Sequence, residues 1–356
     1  MAHDLCIEHG KAKLFYHGEP PWHGLGQELH GPATSREAIQ AAELDWEVEK
    51  VPLQLVLTGR NVPVSDRFAL VRSDLLKIGG SVGALGIVGR DYAPLQNRDA
   101  FAFFDGLVGG PEKAIYCTAG ALGDGERVWI LAKLPGEMVI ASEDTVDKFL
   151  LLSTSHDGQS SIQIKFTPIR VVCQNTLTMA LSKGPTIHVP HRKGAKAQLE
   201  WAAATLGVVG RRFTLLEQDF KAMAKRSMER KSLETYLDQV LPLPTGHEGR
   251  QGIFLGDQPM LQDPKVRERQ LNRIMLQRSA VLLLWDQGVG SALPVVRHTL
   301  WAAYNAVTEM VDHYSRQERM TIDDRSRHLN GAWFKDGYLL KARAYRAALD
   351  ILKAVA

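Results

Sequence analysis

Two consecutive hairpin patterns in the middle of the chain constrain its fold most. The first has apolar-rich flanks at 114–122 and 127–134 around the turn Gly123-Asp124-Gly125-Glu126, and the second has flanks at 148–155 and 161–166. Glycine and aspartate favour the tight turns that join antiparallel strands. These stretches therefore predict an antiparallel β-meander, in which each strand pairs with its neighbour along the chain.

Helical spacing is expected on both sides of this meander. Ser35 is predicted to cap a helix that ends near Leu44, and Asn97 to cap another that ends near Val108. A strand pattern begins at Trp46, and Pro52 predicts that this strand is an edge or is broken there. The predicted fold class is α+β: an antiparallel β-meander sheet packed with helices, followed by a mainly helical C-terminal half.

Stretches rich in glycine and proline divide the chain into four predicted parts. Residues 1–33 read as an extended N-terminal arm and residues 34–183 as an α+β core domain. Residues 184–196 read as a basic linker loop, and residues 197–356 as a helical C-terminal region.

Charge is distributed unevenly between the two halves. The first 180 residues contain 16 Lys and Arg against 22 Asp and Glu, and the remainder contains 27 against 18. The excess of basic residues makes the C-terminal half a candidate for a polyanionic partner. The chain has no apolar run long enough for a membrane helix and no signal-peptide pattern, and it has only three cysteines. We therefore expect a soluble protein of a reducing, cytoplasmic compartment.

Catalytic and cofactor signatures are weak. Cys6 and His9 have the spacing of a zinc-ligand pair, but a second pair is missing, so no metal is expected. Ser155-His156-Asp157 resembles a triad only in composition, because adjacent residues at a turn point in different directions. The glycines at 79–89 match neither common phosphate-binding loop. We expect no catalytic residue and no cofactor, although an enzyme with an unrecognised site remains a third hypothesis.

Basic residues provide the stronger candidate site. They cluster around the last predicted strand, the loop after it and the next helix, where Lys and Arg can neutralise phosphates. The alternative is an ordinary solvated helix face beside a charged loop. The candidate nucleic-acid contacts are Lys165, Arg170, Lys183, Arg192, Lys193, Lys196, Arg211 and Arg212.

Several stretches along the chain carry a family resemblance. They are Pro21-Trp22-His23-Gly24-Leu25-Gly26, residues 92–97, 128–135 and 155–158, Thr167-Pro168-Ile169-Arg170-Val171-Val172-Cys173-Gln174-Asn175-Thr176-Leu177, and residues 301–309. In these stretches the chain resembles the phage/plasmid-like protein family of unknown function, the YfjQ/YafZ-like family. That resemblance implies a setting on prophages and plasmids and no particular reaction.

A second resemblance is one of topology. A helix, a β-meander and a further helix, with basic residues at the last strand–helix junction, are similar to the core of single-strand annealing proteins. This resemblance implies an ATP-independent protein that holds single-stranded DNA during recombination and assembles into a homo-oligomeric ring or filament. Topology alone does not establish function. The alternative is a protein-interaction module, such as a counter-defence or regulatory factor, without nucleic-acid binding.

Overall fold

An antiparallel sheet followed by helices forms the body of the protein, which confirms the predicted α+β class. The structure is a computed structural model. It describes residues 6–8, 11–17, 26–31, 33–78, 83–105, 114–170, 175–176, 186–198, 207–243, 264–291, 293–313 and 336–354.

The main sheet has the spatial order β12-β11-β10-β9-β8-β3-β4, with β13 paired to β11. Its strands, in chain order, are β3 (Leu14–His17), β4 (Gln27–Leu29), β8 (Ile115–Leu122), β9 (Arg127–Ala141), β10 (Asp144–Ser155), β11 (Ile162–Arg170), β12 (Asn175–Thr176) and β13 (Thr186–Val189). Strands β8 to β11 form the predicted meander, and both predicted hairpins are confirmed. The turns after β8 and β10 therefore lie at the same end of the sheet.

A smaller sheet contains β5 (Val48–Leu57), β6 (Arg60–Arg72) and β7 (Gly86–Val88), and the short strands β1 (Ile7–Glu8) and β2 (Lys11–Ala12) form a separate pair. Strand β5 is an edge strand, and its register shifts between Pro52 and Gln54, as the proline predicted. Beyond this shift, residues 53–64 form an outer hairpin that is exposed along most of its length.

In the part of the chain that the structure describes, three helices precede the meander: α1 (Ser35–Ala41), α2 (Ser73–Ile78) and α3 (Asn97–Asp105). The predicted cap of α1 was wrong by one residue, because the Thr34 side chain accepts from the backbone of Glu37. The capping role expected of Asn97 was also wrong. Its side-chain amide donates to the Leu44 carbonyl at 3.0 Å, and so joins α3 to the segment before β5.

The C-terminal half is mainly helical, as predicted. Among its described residues the helices are α4 (Gly207–Lys225), α5 (Arg230–Val240), α6 (Pro264–Gln287), α7 (Leu300–Asp312) and α8 (Asp336–Lys353). One local expectation is corrected: part of the predicted linker loop forms β13. Local patterns missed this strand because its hydrogen bonds come from β11, about twenty residues earlier along the chain.

One buried cluster joins the sheet to the helices. Phe220 on α4 packs against Trp301 of α7 and Tyr345 of α8, and all three side chains are fully buried. The Trp301 indole donates to the Asp144 carboxylate at 2.8 Å, at the start of β10. The predicted division into domains stays a prediction. Every helix in the described part of the chain is too short or too polar to span a bilayer.

Candidate functional site

The most prominent basic feature is a short loop at one end of the main sheet, residues 190–198, which we call the anchored loop. It follows β13, and its last four described residues, 195–198, are helical. Gly194 has a φ of +91°, a left-handed conformation that glycine adopts without strain. Arg192 and Lys193 lie on the outside of this turn and are exposed. Neither makes an ion pair within the described residues, so both charges are available to an external anion.

His191 fixes this loop to the rest of the protein. Its ring is almost fully buried and stacks on Tyr92, with ring centroids 4.8 Å apart and an interplanar angle of 18°. The backbone N–H of Ala93 donates to the His191 carbonyl at 3.0 Å. The Tyr92 hydroxyl in turn donates to the carbonyl of Ser155, the last residue of β10, at 2.8 Å. The loop is therefore held against the sheet end by contacts far apart in sequence.

A second histidine, His156, lies buried beside this anchor. Its Nε2–H donates to Asn97 Oδ1 at 3.2 Å, and its ring packs edge-on against Trp46, with ring centroids 5.8 Å apart. Ser155 donates its hydroxyl to the Asp157 carboxylate instead of to His156. Ser155 and Asp157 therefore bond each other, while His156 between them points to Asn97, so the three side chains do not form a triad.

Burial keeps both imidazoles neutral. Burial, and to a smaller extent the nearby His191, lowers the pKa of His156 to about 3. Burial also lowers the pKa of His191 to about 4, against the opposing effects of the Ala93 backbone and Asp157. Near neutral pH the positive charge of the anchored loop therefore comes from its Lys and Arg side chains.

Several polar atoms in this buried cluster have no hydrogen-bond partner within the described residues. Buried polar atoms of this kind normally bind enclosed water, because leaving them unpaired costs free energy. They are Trp46 Nε1, His156 Nδ1 and both ring nitrogens of His191. We therefore expect ordered water between the two histidines.

The predicted contacts fall into three groups. Arg192, Lys193 and Lys196 lie together on the anchored loop, but Lys196 is paired with Asp99 at 2.8 Å. Lys165 is only 8% exposed, and its ammonium lies over the Tyr338 ring at 4.6 Å. Burial, and then Arg127, lowers the pKa of Lys165 to about 8. The remaining four predicted contacts have side chains that lie outside the described part of the structure: Arg170, Lys183, Arg211 and Arg212.

Sequence reasoning missed the anchoring role of His191 and Tyr92. In the sequence, His191 is only one more side chain of the predicted basic loop. A signal was present, because Tyr92 begins one of the stretches that carry the family resemblance. Its connection to His191 depends on tertiary structure, since the two residues are separated by the whole meander.

In the sequence, Cys6 and His9 are the pair with zinc-ligand spacing. Within the described residues, no three His, Cys, Asp or Glu side chains converge in a way that could hold a metal ion. Cys6 is buried and lies 3.6 Å from the Arg72 guanidinium, while its proposed partner His9 lies outside the described residues.

Comparison with known proteins gives one family. A family model described as a domain of unknown function, DUF932, matches residues 84–334, which include the meander, the anchored loop and α4 to α7. No curated protein and no solved structure matches the chain. Because the family model covers more than half of the sequence, the chain belongs to the DUF932 family.

Proposed function

We propose that this chain binds nucleic acid without ATP, and that it anneals or protects single-stranded DNA during recombination of phage or plasmid DNA. The observation that carries the proposal is the pair Arg192 and Lys193: exposed, without ion-pair partners in the described structure, and adjacent on a loop fixed at both sides. Exposed Lys and Arg bind phosphates and release counterions, which favours binding that does not depend on base sequence.

Anchoring of the loop supports this proposal. Binding orders the loops and side chains at an interface, and that ordering costs free energy. Here the stack of His191 on Tyr92 and the hydrogen bond from Ala93 have already ordered the loop backbone. The remaining cost is therefore mainly that of the Arg192 and Lys193 side chains.

The charge of the surrounding sequence supports a polyanion as the ligand. Between residues 165 and 196 there is no Asp or Glu, so a bound strand meets no repulsion from that segment. Arg170, Lys183, Arg211 and Arg212 remain part of the proposed contact set. A contact from Lys165 would require Tyr338 to move off its ammonium, so we place Lys165 outside the primary contacts.

The biological setting belongs to the same proposal. The stretches that resemble the phage/plasmid-like family support a mobile-element origin and a cytoplasmic location. The meander with basic residues near its last strands resembles the core of annealing proteins, which supports single-stranded DNA as the ligand. Such a protein must present many nucleotides in line, so we propose a ring or filament.

The alternative function is a protein-interaction module, favoured by the exposed apolar side chains of the outer hairpin. Equilibrium binding distinguishes the two. Fluorescence anisotropy with labelled single-stranded and double-stranded DNA, over a series of salt concentrations, should show tighter binding to single strands that weakens steeply with salt. Salt-independent binding, or none, would favour the interaction module.

Variants of the anchored loop sharpen this experiment. Arg192→Ala with Lys193→Ala should weaken binding and flatten the log–log salt slope by about one to one and a half units, at roughly 0.7 per phosphate on a single strand. The matched control is Lys225→Ala with Arg226→Ala, an adjacent exposed pair at the end of α4. Equal affinity and an unchanged slope in the loop variant would remove the loop from the site.

A further inference from the structure

The outer hairpin presents an uncovered apolar face. Leu55 and Leu57 are 53% and 54% exposed, and Val62 is 40% exposed. Leu55 lies directly opposite Val62, and alternate residues of a strand share a face, so these three side chains form one surface. Residues 53–64 contain a single charged residue, Arg60. An isolated two-stranded hairpin with such a face gains stability when another surface covers it.

The segment leading into this hairpin is acidic on its outer side. From Glu43 to Glu49 buried and exposed residues alternate, and the exposed positions are all Asp or Glu. Glu43 pairs with Lys13 and Glu47 with Arg98. Asp45 and Glu49 make no ion pair within the described residues, so two carboxylates remain uncompensated at the base of the hairpin.

Helix α6 carries the complementary arrangement. Arg269, Arg273, Leu276 and Leu283 follow one another at helical spacing and so form one outward stripe. Leu276 is 72% exposed and Leu283 is 44% exposed, while both arginines are exposed and unpaired in the described structure. Like charges four residues apart are mildly unfavourable for a helix by itself. An acidic neighbour would relieve that repulsion.

We infer that the outer hairpin of one copy docks on the outward stripe of α6 in a second copy of this chain. Glu49 and Leu55 are separated by about 20 Å along a strand. Arg269 and Leu283 are separated by about 21 Å along a helix. The carboxylates can therefore face the arginines while the apolar side chains of the hairpin cover the two leucines.

This contact joins two different surfaces, so every copy has one of each to offer. A heterologous contact of this kind propagates, and closes into a ring or continues as a filament. It needs no nucleic acid, so it can fail while DNA binding holds, although the proposed ring or filament would then need another contact. A nucleic acid is the poorer occupant of either surface, because phosphates would be repelled by Asp45 and Glu49 and would leave Leu276 and Leu283 uncovered.

The experiment is sedimentation equilibrium of the full chain at micromolar concentrations. The unmodified protein should form oligomers, and Leu55→Asp or Leu276→Asp should each raise the dissociation constant by at least about tenfold. Mixing the two variants should restore one intact contact for each pair and yield heterodimers that grow no further. Matched controls are Leu339→Asp on α8 and Val139→Asp on β9, both exposed apolar residues outside the proposed contact.

Charge reversal gives a second readout that leaves the apolar side chains in place. Copies with Arg269→Glu and Arg273→Glu should fail to self-associate, and should bind copies with Asp45→Lys and Glu49→Lys. A monomeric unmodified chain would overturn the inference, as would oligomers unaffected by Leu55→Asp. Mixed variants that stay monomeric would also overturn it, and Leu276→Asp copies that still self-associate would point to hairpin-to-hairpin pairing. A monomer that sediments with lipid vesicles would assign the hairpin to a membrane surface instead.

Discussion

The anchored loop and the outer hairpin both project from a sheet, but they are built in opposite ways. The loop has charged tips and a buried aromatic base, in which His191 stacks on Tyr92. The hairpin has an apolar face and an acidic base, and Leu55 and Leu57 on that face are 53% and 54% exposed. Exposure by itself does not distinguish the two features, because both present exposed side chains. The charge of those side chains does distinguish them. A fixed charged loop suits a polyanion, whereas an uncovered apolar hairpin suits a protein surface.

Acidification should have the largest effect, and it should act on the loop side of this comparison. His156 and His191 have pKa values lowered to about 3 and about 4 from an ordinary value of 6.5. Between these lowered pKa values and 6.5, the unfolded chain binds more protons than the folded chain. The contribution of the two histidines to stability is therefore present above pH 6.5 and is lost as the pH falls towards the folded pKa values. Between about pH 8 and about pH 5 we expect a loss of about 2 kcal/mol for each histidine.

Urea unfolding at both pH values measures this loss. His191→Phe provides the control, because phenylalanine can keep the stack on Tyr92 but does not titrate. The variant should lose roughly half as much stability as the unmodified chain on acidification. A pH dependence that is identical in both proteins would show that His191 does not contribute.

Removal of the aromatic anchor should have the next largest effect. Tyr92→Ala deletes the stack on His191 and the hydrogen bond to the Ser155 carbonyl, and should cost about 2 to 3 kcal/mol in unfolding free energy. It should also weaken DNA binding, since the backbone of the anchored loop would no longer be ordered. Tyr92→Phe keeps the ring and should cost only about 1 kcal/mol. Unfolding and anisotropy measurements on both variants test whether anchoring and binding are coupled.

Substitution of the outer hairpin should have the smallest effect on stability. Leu55→Asp changes an exposed side chain with no covering contact, so the unfolding free energy of the monomer should move by less than about 0.5 kcal/mol. The same substitution is expected to abolish self-association. A large loss of monomer stability in urea would mean that the hairpin contributes to the fold, and would weaken the contrast with the anchored loop.

Local sequence patterns were sufficient for the meander. Its turns contain Gly123, Gly125 and Gly158, all of which adopt positive φ, and each strand pairs with the next along the chain. Such pairing can be read from the sequence because one turn joins each strand directly to its partner. The same reasoning failed for β13, whose partner is not its neighbour, and for Asn97, whose amide bonds a carbonyl 53 residues away.

The candidate site was only partly readable in advance. The sequence identified the basic segment and included Arg192 and Lys193, because a run of basic residues without acidic ones is visible as composition. It could not distinguish these exposed residues from Lys165, since all are simply Lys or Arg in a basic stretch. Packing against Tyr338, which lies far along the chain, makes that distinction.

By itself, the sequence determined the α+β class, the two hairpins, the helical C-terminal half and the location of the basic segment. These follow from residue periodicity, turn chemistry and charge, which act over short distances. Only the tertiary structure decided that two histidines are buried and neutral, that Tyr92 holds the anchored loop, and that Leu55 and Leu276 are uncovered. Each of these depends on which distant surfaces exclude water from a side chain, and burial of that kind is a property of the whole fold.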